Sequence, residues 1–198
     1  MLFRSNDAPV LTLGGTTTNV DALYSTKQGI VTLAASATLS DVDSPSFSGM
    51  QVSISDYRAG DVLSLTTSAK QTLTSAGIGY SYDNAGKLSL IVPNGSSISQ
   101  ADLQSVLRGV TFSTSYALSA TGGTQRTIVY TTTDLATGNA VGNVSVSASA
   151  SLTLQESPYA TVSKDSVTAI QTLTLFGDAK APSVSIDLSR SEEHTSEL

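Results

Sequence analysis

Short stretches in which apolar and polar residues alternate run through the whole chain, separated by Gly, Asp, Asn and Ser. In "NVSVSASASLTL", Val144, Val146, Ala148, Ala150, Leu152 and Leu154 take the even positions, and Ser or Thr fill the odd ones. Successive side chains of a strand point to opposite faces, so this period predicts a strand with one face in a core and the other in water. The same reading turns Met50, Val52 and Ile54 inward in "GMQVSIS", and Ile128 and Tyr130 inward in "RTIVYTTT". In "DVLSL" it leaves open Val62 or Leu63, with Leu65. "GIGYSYDNAGKLSLIV" predicts a hairpin, because Asp83, Asn84 and Gly86 supply turn chemistry between two alternating runs. One segment departs from this period. "SISQADLQSVLRGV" spaces Leu103, Val106, Leu107 and Val110 as the buried stripe of a helix, with Ser99 and Asp102 as a capping box. Many short strands with turn signals and a single inserted helix predict an all-β sandwich.

Composition narrows the chemistry. The chain of 198 residues has no Cys and one His, His194, which lies in the closing "RSEEHTSEL". That nonapeptide, residues 190–198, resembles the translated start of a common sequencing adapter and is set aside as non-native. Removing its one Arg and three Glu takes the formal charge from −6 to −4. Without Cys or His, zinc sites, thiol nucleophiles and Ser-His-Asp triads are excluded. Hydrolysis by paired carboxylates survives that exclusion but needs a deep cleft, so the expectation is a protein that is not an enzyme. Net acidity with scattered Lys and Arg argues against nucleic acid. No apolar run approaches the length of about 18 residues that spans a bilayer, so membrane insertion is not expected. "MLFRSNDAP" has no apolar stretch of the kind a secretion signal carries, and the chain reads as a piece of a longer protein.

Two similar phrases, "NDAPVLTL" from Asn6 and "QESPYATV" from Gln155, each set an acid, a small residue and Pro before a β-prone stretch. Pro stiffens a joint and cannot donate to a central ladder, so both read as linkers. The expected organisation is a linker over 1–9, a sandwich domain over 10–154, a linker and truncated start of a following repeat over 155–189, and the tail. The third piece is too short to close a sandwich and should be frayed or mispacked.

"SDVDSP" places Asp41 and Asp43 two positions apart, on one side of an extended chain. Two neighbouring carboxylates call for something positive between them, unless the segment is only a solvated turn whose Asp side chains cap backbone amides. The ordered set "NDAPV", "TLSDVDS", "GDVLSL", "YDNAGKLSL", "SQADLQSVLRGVTFS" and "RTIVYTTTD", over roughly residues 6 to 154, resembles the cadherin-like repeats of large bacterial surface and secreted adhesins. The resemblance implies an immunoglobulin-like Greek-key sandwich strung in tandem, with Ca²⁺ bound where repeats meet. It implies Asn6 and Asp7 as the linker ligands, Asp41 and Asp43 as the D-x-D pair, and Asp134 as the loop acid, with Thr132 where the family has Ala. All would converge at the amino-terminal end of the domain, and Ca²⁺ is a hard cation that takes six to eight oxygens. The family's first-strand Glu and D-R-E motif have no counterpart here: "ALYSTKQG" carries Lys27, and "QESPY" offers only Glu156.

The resemblance thus implies a structural and adhesive repeat of an extracellular, secreted or cell-surface bacterial protein, whose partners are neighbouring repeats of the same chain and a cell surface. The competing reading is a polysaccharide-binding or accessory module of a secreted hydrolase. It rests on Tyr80 and Tyr82 sharing a strand face, with Tyr57, Tyr116 and Tyr130 elsewhere.

Overall fold

The computed structural model describes residues 6–25, 29–116, 124–135 and 142–155, together with the backbone of three later strands. In chain order the elements are β1 (Val10–Thr12), β2 (Val20–Ser25), β3 (Val31–Thr32), β4 (Thr38–Ser40), β5 (Ser46–Ile54) and β6 (Asp61–Leu65). Next come α1 (Thr67–Ser75), β7 (Gly79–Tyr82), β8 (Lys87–Ile91), β9 (Ile98–Ser99), α2 (Gln100–Arg108) and β10 (Val110–Thr114). Then follow β11 (Thr124–Asp134), β12 (Ala148–Gln155), β13 (Tyr159–Lys164), β14 (Gln171–Phe176) and β15 (Ser185–Asp187).

The fold is mostly β. The largest sheet runs β2-β12-β11-β5-β8-β7, with β9 also on β5; a second runs β3-β10-β6, and β1 pairs β4. Pairing is antiparallel except between β2 and β12, which run parallel. Both larger sheets feed one core. Met50, Val52, Ile54, Ile128, Tyr130, Ala148, Ala150, Leu152 and Leu154 come from the large sheet and Leu63, Leu65 and Phe112 from the smaller one. Phe112 meets Tyr24 edge to face, with ring centroids 5.5 Å apart.

Period two sets these faces as expected, and Leu63 with Leu65, not Val62, points inward. The hairpin of β7 and β8 forms with Asn84 at φ 56 and Gly86 at φ 95, and the Asp83 carboxylate accepts from the amides of Ala85 and Lys87. Three expectations are corrected. Val110, expected on the buried stripe of α2, instead opens β10 opposite Leu65, because the helix ends at Arg108 with Gly109 as its cap. The described residues hold two inserted helices, not one: α1 packs beside α2 and buries Ala69 and Leu73. Val144 and Val146 are not core positions. They are 56% and 81% exposed, because the pairing with β11 slips by one residue between Tyr130↔Ala148 and Thr133↔Val144, which turns Ser145 inward and the two valines outward.

Ser99 caps α2 through one half of the expected capping box: its hydroxyl accepts from the Asp102 amide, while the Asp102 carboxylate accepts from that hydroxyl and not from the Ser99 backbone amide. Gly109 ends that helix where it lies close against the other. A Cβ there would lie 2.5 Å from the Ala69 Cβ, so a glycine lets the two helices approach.

Beyond Gln155, β13, β14 and β15 pair antiparallel in a sheet of their own. The remainder of the expected second repeat, Glu156, Lys27 and the tail over 190–198 lie outside the described residues.

Candidate functional site at the acidic pole

Strand β11 carries Ile128, Tyr130, Thr132 and Asp134 on its inward face, each wholly buried. Asp134 is the last of them and so reaches the rim of the core as a carboxylate. There the register slips: Thr133 faces Gly49 and Asp134 faces Phe47, which leaves Ser48 as an extra residue on β5. Such a bulge re-aims side chains and ends regular pairing. Here the Ser48 hydroxyl donates to the Asp134 carbonyl at 2.6 Å.

Three other segments close on the same rim. The Asp134 carboxylate accepts from the Asn6 side-chain amide at 2.7 Å and from the backbone amide of Asn143 at 2.6 Å. The Asn143 side-chain amide donates in turn to the Asn6 carbonyl. In the loop between β4 and β5, the Asp41 Oδ1 accepts from the amides of Asp43 at 3.0 Å and Ser44 at 2.8 Å. The Asp43 Oδ2 accepts from the Asp7 amide at 3.0 Å. Ser44, also buried, donates its hydroxyl to the Leu135 carbonyl at 3.2 Å and lies 3.5 Å from the Asn6 Oδ1. One pole of the domain therefore holds Asn6, Asp7, Asp41, Asp43 and Asp134, joined by Ser44 and Asn143.

The turn reading of "DVDSP" describes one oxygen of Asp41, which caps two amides. The second oxygen, Oδ2, is buried without a partner, and so is Oδ1 of Asp43. A buried carboxylate oxygen without a donor is costly. Burial pushes the Asp41 carboxyl above the usual aspartate range, and the neighbouring Asp43 adds to the rise. No cationic side chain answers this: among the described residues the one ion pair is Arg126–Asp61. Arg126 sits eight residues from Asp134 on β11, about 27 Å along the strand.

These features bear on a cation in different ways. The Asp41 and Asp43 pair fits a hard cation, since it offers oxygen alone and has two unpartnered oxygens. Asp134 as placed is already bound to Asn6 and Asn143, and no group of three or more acidic side chains gathers as a ready metal site among the described residues.

The tyrosines are otherwise engaged. The Tyr57 hydroxyl donates to the Asn84 carbonyl and that of Tyr82 to the Asp61 carbonyl, each at 2.8 Å. Tyr116 lies over the Arg126 guanidinium and Tyr80 under the Lys70 ammonium. Tyr130 is buried in the core, where desolvation pushes its hydroxyl far above the ordinary range. A groove of about 480 Å³ between the helices is lined by Ser68, Gln71, Thr72, Ser75, Ala76 and Asp102, with one acid and no aromatic ring.

Neither the family models, nor the curated proteins, nor the solved structures compared with this chain include a match.

Proposed function

We propose that this chain is a structural and adhesive repeat of a large extracellular bacterial protein, an immunoglobulin- or cadherin-like Greek-key domain whose amino-terminal pole takes Ca²⁺ at the junction with a preceding repeat. The observation that carries this reading is the pair of buried, unpartnered oxygens on Asp41 and Asp43, beside the docked linker Asn6–Asp7 and ion-paired to no described cation. Asp41 and Asp43 would hold the ion, with Asp7 and Asn6 from the linker and Asp134 beside them. A bound divalent cation supplies positive charge that draws linker and domain carboxylates onto one centre. The protein's own groups orient those carboxylates: the amides of Asp43 and Ser44 fix Asp41, and the Asp7 amide fixes Asp43.

The reading fits a stalk that stiffens outside the cell, where calcium reaches the millimolar range that extracellular modules bind. The polysaccharide reading has less support, since Tyr57 and Tyr82 spend their hydroxyls on backbone carbonyls. Thermal unfolding of the chain in millimolar calcium and in chelator tests the proposal. The expected result is a higher Tm with calcium, a gain absent from the Asp41→Ala, Asp43→Ala double variant. Equal melting temperatures in both buffers would end the calcium reading.

A further inference from the structure

We propose that Asn143 is a positioning residue that latches the incoming linker onto the domain without any metal. Among the described residues the linker is held by four hydrogen bonds that involve side chains, the longest of them from the Ser44 hydroxyl to the Asn6 Oδ1, and by no ion pair. Asn6 donates its side-chain amide to Asp134, Asn143 donates its side-chain amide to the Asn6 carbonyl, and the Asp7 amide donates to Asp43. Asn143 is the hub, because its backbone amide also donates to the Asp134 Oδ1 and its carbonyl accepts from the Asp134 amide at 3.1 Å. One residue therefore fixes both the buried carboxylate and the linker segment that the carboxylate grips.

The residue type is dictated by these contacts. The Asn6 carbonyl needs a donor, which Asn provides and Asp cannot, since an ionised carboxylate only accepts. The preceding Gly142 is pressed against the same group: a Cβ there would lie 2.7 Å from the Asp134 carbonyl oxygen. A side chain at 142 would push the loop away and carry Asn143 with it. Links to a charged acceptor are the stronger kind of hydrogen bond, and the latch contains three of them, two on Asp134 and one on Asp43.

The latch itself requires no cation, whereas its consequence for calcium rests on the function proposed above. A linker already docked brings Asn6 and Asp7 to the pole before an ion arrives, so less ordering remains to be done on binding. In this account calcium tightens a joint that is closed beforehand; it does not gather a free linker.

Amide hydrogen exchange on the full chain in chelator tests the latch. Asn143→Ala and Asn143→Asp should each speed exchange at Asp7 by about tenfold or more, while core amides of Val52 and Ile128 keep their protection. Asn6→Ala, on the linker itself, removes the link to Asp134 and the long one from Ser44 but leaves the Asn6 carbonyl to Asn143, so it should give a smaller rise, and it keeps the test usable if a change at 143 unfolds the domain. Unchanged exchange at Asp7 in the folded 143 variants, or in Asn6→Ala if they do not fold, overturns the latch. A calcium titration separates the two claims. If the wild-type chain binds calcium, Asn143→Ala should weaken it by about tenfold, and equal affinity overturns the positioning role. If the wild type binds none while exchange at Asp7 still responds, the latch stands and the junction reading falls.

Discussion

Asp41 and Arg126 show the two ways this domain treats a buried charge. Arg126 is met inside the fold: its Nε lies 2.5 Å from the Asp61 carboxylate, which also accepts from the Arg58 amide, and both side chains are almost fully buried. The pair joins β11 of the large sheet to β6 of the smaller one. Removing one partner of a buried pair strands the other, so Arg126→Met should cost about 3 to 5 kcal/mol in denaturant unfolding. Asp61→Leu added to it should recover part of that loss, because no uncompensated charge remains. Asp41 has no such partner, and its raised pKa fixes the sign of a pH effect. The folded chain holds that proton more tightly than the unfolded one. The stability linked to it is therefore present below the ordinary value of 3.8 and lost as pH rises through the raised value. Asp83 has the opposite sign, since the Lys87 and Ala85 amides lower its pKa and its contribution is lost on acidification. In chelator near neutral pH, Asp41→Asn should accordingly raise Tm: the amide oxygen still caps Asp43 and Ser44, and the buried negative charge is gone. A lower Tm for that variant would contradict the assignment of Asp41 as a strained charge.

Among the elements, those with a strong period are the ones that sequence alone locates. The strands around Val52, Leu63, Ile128 and Leu152 follow from alternation, and α2 follows from Leu103, Val106 and Leu107 of its expected stripe and from its cap. The first helix, α1, is a different case. Only Ala69 and Leu73 are buried along nine residues rich in Ser and Thr, and its cap, Thr66, has no acid three residues on to complete a box. Its helical state depends on packing against α2, which the local sequence does not display. Val144 and Val146 fail for another reason: the pairing with β11 slips by one residue before Ala148 and inverts their face, and alternation alone does not show where a register slips. The bulge at Ser48 leaves no mark in composition either, yet it decides how β5 meets Asp134. Two substitutions probe the helical layer. Ser99→Ala should cost about 1 kcal/mol through loss of the cap. Gly109→Ala should cost about 1 to 3 kcal/mol, since its Cβ would lie 2.5 Å from that of Ala69. Chemical denaturation of each variant reads both values.

At the scale of the whole molecule, the two ends of β11 differ in kind. One end carries the neutralised Arg126–Asp61 pair, and the other gathers carboxylates that, among the described residues, amides alone answer. Alternation gives the inward face of Asp134 but not the pole it reaches, because that depends on how strands far apart in sequence are ordered. The grouping of Asp134 with Asn6 and Asp7 was expected only through the cadherin-like resemblance. Asn143 and Ser44 carry no spacing signal, being single neutral residues in loops of a chain rich in Ser and Thr. If the pole takes calcium with the affinity of extracellular modules, a tenfold to hundredfold excess over Kd should stabilise the domain by about 1.4 to 2.7 kcal/mol. The most direct test is a calcium titration of the isotope-labelled chain followed by amide NMR. The account predicts saturable shifts at Asn6, Asp7, Asp41 through Ser44, Asp134 and Asn143, with the amides around Arg126 and Asp61 unmoved. Spectra that stay unchanged into the millimolar range, or shifts centred on other acids such as Asp21 or Asp56, would contradict it.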